Sequence, residues 1–168
     1  MKKGGQMSII AGRIDYRLLH GIVQGFWCPT YAPQRTMIID DSTANDEVRK
    51  AAMKLSKPSG QALSIINHET AYENFKAGKY DNHSVFVIAR DPKTFLDLIE
   101  LGQNIPIVTL GLTELPTNET RGVQAGRRAF IFDEDIPIYQ KIIASGTEVD
   151  VRYMTTDKSI PISNYISV

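Results

Sequence analysis

Short apolar runs rich in β-branched residues alternate with segments of helical period from residue 8 to residue 153, the pattern of repeated strand–helix units. The runs predict strands at 8–13, 36–40, 62–67, 84–89, 107–110, 129–132 and 149–153. Most are nearly continuous in apolar residues, as strands covered on both faces are. The predicted fold class is therefore α/β, an open and mainly parallel sheet of about seven strands with helices on both faces.

Between the runs, the spacing predicts a helix over 45–55 with Val48, Ala51, Ala52 and Leu55 on one apolar stripe, the stripe that normally faces a core. Pro58-Ser59-Gly60 stops it. A second helix opens at Asp91-Pro92, read as N-cap and first helical position, buries Phe95, Leu96 and Ile99, and ends at Gly102 as the left-handed residue. A third, near 133–145, turns Tyr139, Ile142 and Ile143 inward and ends at Gly146. A further helix is predicted over 21–27, whereas 112–124 has no apolar period and reads as the longest polar loop. No linker or repeat interrupts 8–168, which reads as one domain, with 1–7 set apart as a loose start.

Composition narrows the function classes. The 19 Lys and Arg balance 19 Asp and Glu among 168 residues, which removes the bulk attraction on which non-specific nucleic-acid binders and surface-bound membrane proteins rely. Any basic patch must be local. A single cysteine, Cys28, allows neither an intramolecular disulfide nor a Cys-rich zinc site and suits a reducing compartment. No apolar run approaches the ~18 residues of a membrane-spanning helix, and Lys2-Lys3 leads into Gly4-Gly5-Gln6 rather than a signal sequence. A cytoplasmic protein is expected.

In open α/β sheets ligands bind beyond the carboxyl ends of the strands, and the turn after the first strand is the richest in chemistry. Arg13, Asp15, Arg17 and His20 fall within eight residues, ahead of a helix that begins near Gly21. Arginine forks and a helix N-terminus both favour phosphate, and a neutral imidazole can attack phosphorus without a strong base. Asp15 either fixes the tautomer of His20 or pairs with an arginine. Ordinary surface roles for His20, Arg13 and Arg17 weigh about as much on spacing alone, and Arg13 and Arg17 read equally as structural ion-pair partners. His68 and His83 lack metal-ligand spacing with His20, and no metal site is expected.

The run Arg13-Ile14-Asp15-Tyr16-Arg17-Leu18-Leu19-His20-Gly21, with Trp27 following, resembles the signature of the IIB components of the sugar phosphotransferase system (PTS), mannose/sorbose family. The resemblance continues through Ile38-Ile39-Asp40-Asp41, residues 44–50, Pro58-Ser59-Gly60, Asp91-Pro92, Phe132-Asp133-Glu134 and residues 148–152. It implies a phosphoryl carrier in which His20 accepts phosphate from a phosphorylated IIA domain. The carrier then passes it to a sugar entering through membrane subunits IIC and IID. It implies no soluble cofactor, catalytic roles for Asp15 and Arg17 beside His20, and phosphate contacts from Arg13, Arg17 and Gly21. Two positions depart from the family pattern: Ile22 replaces the usual glutamine after His-Gly, and Gly111-Leu112-Thr113-Glu114 replaces a Gly-Gly-Met type turn. The sugar (mannose, fructose, sorbose or an amino sugar) and the oligomeric state, including a homo-oligomer, stay open.

Other readings start from other residues. Asp40-Asp41 at a strand end is similar to the acidic pocket of receiver domains phosphorylated on aspartate, but the later strand-end lysine is missing, since 107–110 runs into Gly111. Capping of the next helix by Asp40, Asp41 and Ser42 is the plainer account. A non-catalytic interaction module is a third class, opposed by the intact His20. Arg127-Arg128 reads as a solvated basic pair, and Cys28 beside Trp27 as a core thiol. The chain has no Gly-Lys-Ser/Thr loop, Gly-x-Gly-x-x-Gly turn or Gly-x-Ser-x-Gly elbow.

Overall fold

A computed structural model describes residues 8–168; the segment 1–7, read above as a loose start, lies outside the described residues. The chain runs β1 (Ile9–Asp15), a π-helical turn (Val23–Trp27) into α1 (Cys28–Tyr31), β2 (Arg35–Ile39), α2 (Asp41–Ala44), α3 (Glu47–Lys54) and β3 (Ala62–Ile66). It continues through α4 (His68–Lys76), β4 (Val85–Ala89), α5 (Pro92–Glu100), β5 (Ile107–Leu112), β6 (Gly122–Ala125) and β7 (Ala129–Phe132). It closes with α6 (Ile136–Ala144), β8 (Glu148–Val151) and β9 (Ile160–Pro161).

Seven strands form one sheet in the order β3-β2-β4-β1-β5-β8-β9. Six are parallel, and β9 pairs antiparallel to β8. The α/β class and the strand count are those expected from the sequence. One member differs. The run 129–132 does not enter the sheet but pairs antiparallel with β6, Gly122 opposite Phe132 and Ala125 opposite Ala129. Its apolar residues bury against the sheet as a flap instead, with Ala125, Ala129 and Ile131 joining the core. The seventh place belongs to β9. The polar loop also shortens, since β5 extends to Leu112 and β6 begins at Gly122.

Two apolar layers cover the sheet. One packs Ala71 and Phe75 of α4, Phe95 and Leu98 of α5, and Tyr139 and Ile142 of α6 against the strands. The other sets Trp27 and Cys28 against Ala11, Ile38, Ile65, Phe86 and Ile88. Side-chain caps begin the helices: Asp91, as expected, accepts from the Thr94 amide with Pro92 at the first position, and Asp40, Asp46 and Asn67 cap α2, α3 and α4. Each such cap contributes about 1 kcal/mol. Gly102, at φ 95°, follows α5 as expected.

The helix over 45–55 forms but is oriented the opposite way from the expectation. No residue of α3 is buried, and Val48 and Leu55 are 80% and 90% exposed, with Ala51 and Ala52 exposed between them. The side turned to the body carries Asp46, Lys50 and Met53, all partly buried, and Met53 packs on the Trp27 layer. Two hydrogen bonds from the Val48 and Arg49 amides to the Asp46 cap start α3, and with Met53 directed inward its apolar stripe lies on the outside.

Candidate functional site

Strand β1 lies at the centre of the sheet, and side chains alternate along it. Arg13 and Asp15 therefore share one face, that of Trp27, while Gly12 faces α5, where an added Cβ would sit 2.4 Å from the Phe95 ring. Asp15 has no exposed surface and gathers three donors: Arg13 Nε at 3.0 Å and His20 Nε2 at 2.9 Å on one oxygen, and the Arg17 amide at 2.9 Å on the other. The loop closes tightly around it. The Leu18 amide donates to the Asp15 carbonyl at 3.0 Å, with Leu18 itself buried at φ 59°, and the Tyr16 amide donates to Leu112. An aliphatic residue holds the left-handed region only where its surroundings fix it.

His20 stands at the head of the following helix, its carbonyl accepting from the Gln24 amide at 2.8 Å. Its side chain is 11% exposed. A carboxylate only accepts, so the bond to Asp15 puts the ring proton on Nε2 and leaves the Nδ1 lone pair free in the neutral ring. Nδ1 has no partner among the described residues. Arg17 is exposed, as is Gly21, where an added Cβ would meet nothing within 4 Å. Tyr16 and Arg17 form one wall of a cleft of about 850 Å³ whose other wall carries Leu115, Arg128 and Phe130.

Arg13 makes the structural ion pair that the spacing also allowed. It has no exposed surface, and its guanidinium donates to Asp15, to the Arg152 carbonyl at 3.1 Å and to the Tyr153 carbonyl at 3.2 Å. It also lies 4.8 Å from the Trp27 ring centre. Burial lowers its pKa below the ordinary value while Asp15 opposes that fall. The guanidinium thus braces Asp15 from beneath. Around it the structure gathers further residues: Trp27 donates to the same Tyr153 carbonyl at 2.9 Å, Arg152 covers the Trp27 ring at 4.9 Å, and Gly111 leaves room for the guanidinium, since a Cβ there would sit 2.2 Å from Cζ. An arginine inside a continuous apolar strand was the available signal, because such a position is buried on both faces.

The acidic turn after β2 takes the plainer of its two readings. Asp40 accepts from the Thr43 amide and hydroxyl and the Ser42 hydroxyl, and Arg90 lies 3.6 Å away. Burial opposes its ionisation, but the bonds from Thr43 and Ser42 hold its pKa below the usual carboxylate value. Asp41 accepts from the amide and ring of His68. Among the described residues no cluster of His, Cys, Asp and Glu could hold a metal ion. His83 accepts from Arg35 at 3.3 Å, and burial pushes the Cys28 thiol up, as suits a core position. Arg90 is poised differently: it stacks 5.1 Å from the Tyr16 ring beside the loop, and its Nε makes no hydrogen bond.

Residues 9–168 match the family described as the PTS system sorbose subfamily IIB component. The chain is 27% identical over 161 residues to the sorbose-specific EIIB component of Klebsiella pneumoniae, covering 96% of each chain. It is likewise 27% identical to the mannose-specific EIIAB component of Escherichia coli, covering 96% of this chain and 49% of that one. Among solved structures, the IIBSor domain of the Klebsiella pneumoniae sorbose permease superposes with a TM-score of 0.82 at 26% identity, over 94% of this chain and 95% of that one.

Proposed function

This chain belongs to the sorbose subfamily of PTS IIB components, and from that premise we propose that His20 is its phosphoryl carrier and that Nδ1 is the atom that takes the phosphate. The observation that carries this reading is the bond from Nε2 to a fully buried Asp15, which leaves Nδ1 as the one ring nitrogen with a free lone pair. In the first step that lone pair attacks phosphorus on a phosphohistidine of a IIA domain. The donor P–N bond breaks, its electrons return to the donor ring, and the His20 ring gains positive charge that Asp15 faces. In the second step a sugar hydroxyl attacks the same phosphorus and releases its proton to water, and the P–N bond to Nδ1 breaks with its electrons returning to the now neutral ring. Phosphoryl transfer asks mainly for positioning and charge stabilisation.

The group carried adds roughly −2 charge, and Arg17 and the Gly21 amide at the helix head are the groups that receive its oxygens. Each charge-assisted hydrogen bond contributes about 1.5–3 kcal/mol. Arg13 acts through Asp15. Support for a IIA partner comes from the Escherichia coli relative, whose name joins A and B components. The IIC and IID membrane subunits and the sugar complete the relay, with the protein on the cytoplasmic side; among the described residues no helix is long and apolar enough to cross a membrane. The relatives are named for different sugars, so family membership leaves the sugar open. Docking is brief, which suits an interface below about 1,200 Å² around residues 13–20.

The test is transfer of labelled phosphate from phosphoenolpyruvate through the general carriers and a matching IIA. Label that survives alkali, is lost in acid and disappears in His20→Ala is expected, with Arg17→Ala slowing transfer while the fold persists. Label retained in His20→Ala and lost in both acid and alkali would overturn the reading and move the site to Asp40 or Asp41.

A further inference from the structure

The outward stripe of α3 has no cover in the described chain. Amphipathic helices of α/β proteins turn their apolar side to the sheet; here Val48, Ala51, Ala52 and Leu55 face solvent while Lys50 and Met53 face the body. Exposures of 80% and 90% at Val48 and Leu55 describe a protruding ridge with no neighbouring walls. A ridge of this kind offers no pocket for the anchoring side chains that dominate protein interfaces. A fluid surface needs none.

The charges around the ridge name its chemistry. Arg49, Lys50, Lys54 and Lys57 stand against Glu47 alone between residues 47 and 57, in a chain of zero formal net charge. Asp46 is the nearest other carboxylate, and it is occupied with the amides of Val48 and Arg49 and lies 3.6 Å from the Arg49 guanidinium. Self-association through this face would bring the same cations together. We propose that the α3 ridge rests on the anionic surface of a lipid bilayer, with Val48 and Leu55 entering the headgroup layer and Arg49, Lys54 and Lys57 meeting lipid phosphates. Long basic side chains accommodate this arrangement because their stems lie along apolar surface while their charged ends reach outward. The ridge lies at the β2–β3 edge of the sheet, away from the central strand β1 whose following turn carries His20, so the loop stays open to its partners.

Flotation of the full chain with vesicles tests this. Binding is expected to vesicles of phosphatidylcholine containing phosphatidylglycerol, at low salt, and not to phosphatidylcholine alone. Because the side chains are exposed, Val48→Ser with Leu55→Ser, and separately Lys54→Glu with Lys57→Glu, should keep the wild-type melting temperature and the labelling of His20. Both pairs should lower the bound fraction, the charge reversal at least about tenfold. Equal binding by wild type and variants, or no binding to anionic vesicles, overturns the proposal. A wild-type dimer in sedimentation that Leu55→Ser dissolves would overturn it in favour of a second copy.

Discussion

Two acid–histidine pairs stand beyond the carboxyl ends of the strands, and they differ in what they leave free. His20 meets Asp15 through Nε2 at 2.9 Å and keeps Nδ1 unbonded. His68 meets Asp41 through Nδ1 at 2.7 Å and spends Nε2 on the Thr94 hydroxyl at 2.8 Å, its ring edge-on to Tyr72. The carboxylates differ as well: Asp15 is wholly buried and braced by Arg13, while the Asp41 side chain is 62% exposed. An imidazole with both nitrogens engaged is a tie between segments, here linking the turns after β2 and β3 to α5. One nitrogen held by a rigid acid and the other open is the arrangement that the proposed carrier role requires. Proximity of Asp and His does not separate the two; the count of occupied ring nitrogens does.

The sharpest way to break the contrast is to remove the brace. Arg13→Met leaves the Asp15 charge buried without its partner, which costs about 3–5 kcal/mol; urea unfolding should show it, and Gly111→Ala, which pushes on the same guanidinium, should destabilise in the same direction. The second pair tolerates more. His68→Gln loses ring hydrogen bonds at a part-exposed site, an effect of about 1 kcal/mol, and should label on His20 as the wild type does. A loss of labelling there would erase the distinction drawn between the pairs.

The smallest effect is one of pH. Bonds from the amide and ring of His68 lower the pKa of Asp41 below its usual 3.8. A depressed carboxylate stabilises the fold above its unfolded pKa, and the contribution fades as pH falls through the folded one. The stability difference between wild type and Asp41→Asn should therefore be constant near neutrality and shrink below about pH 4. A difference that grew on acidification would contradict the hydrogen-bond pattern at Asp41.

Much of this was legible in the chain. The seven apolar runs are all strands, Asp91-Pro92 and Gly102 bracket α5 as their chemistry dictates, and the loop from Arg13 to Gly21 stood out by its concentration of charged groups. What stayed hidden was direction and partnership. Periodicity places Val48, Ala51, Ala52 and Leu55 on one side of a helix but does not say which way that side faces. Likewise 129–132 is a strand by composition, and only the return of 122–125 decides that it pairs outside the sheet. The two-residue β9 is too short to carry a period. For Arg13 and Arg17 the spacing alone gave equal standing; the pleat of β1 buries the first, and the end of the strand frees the second.

The loop that holds His20 is already in order before any partner arrives: Asp15 ties it at three points, and Leu18 is fixed at φ 59°. A segment that had to be ordered at each encounter would give up part of its binding energy to that ordering and slow association. A pre-set loop does neither. In the relay proposed above, which meets a donor, parts from it and meets an acceptor, such a loop leaves collision and separation of the molecules, rather than refolding of the carrier, as the steps that set the pace.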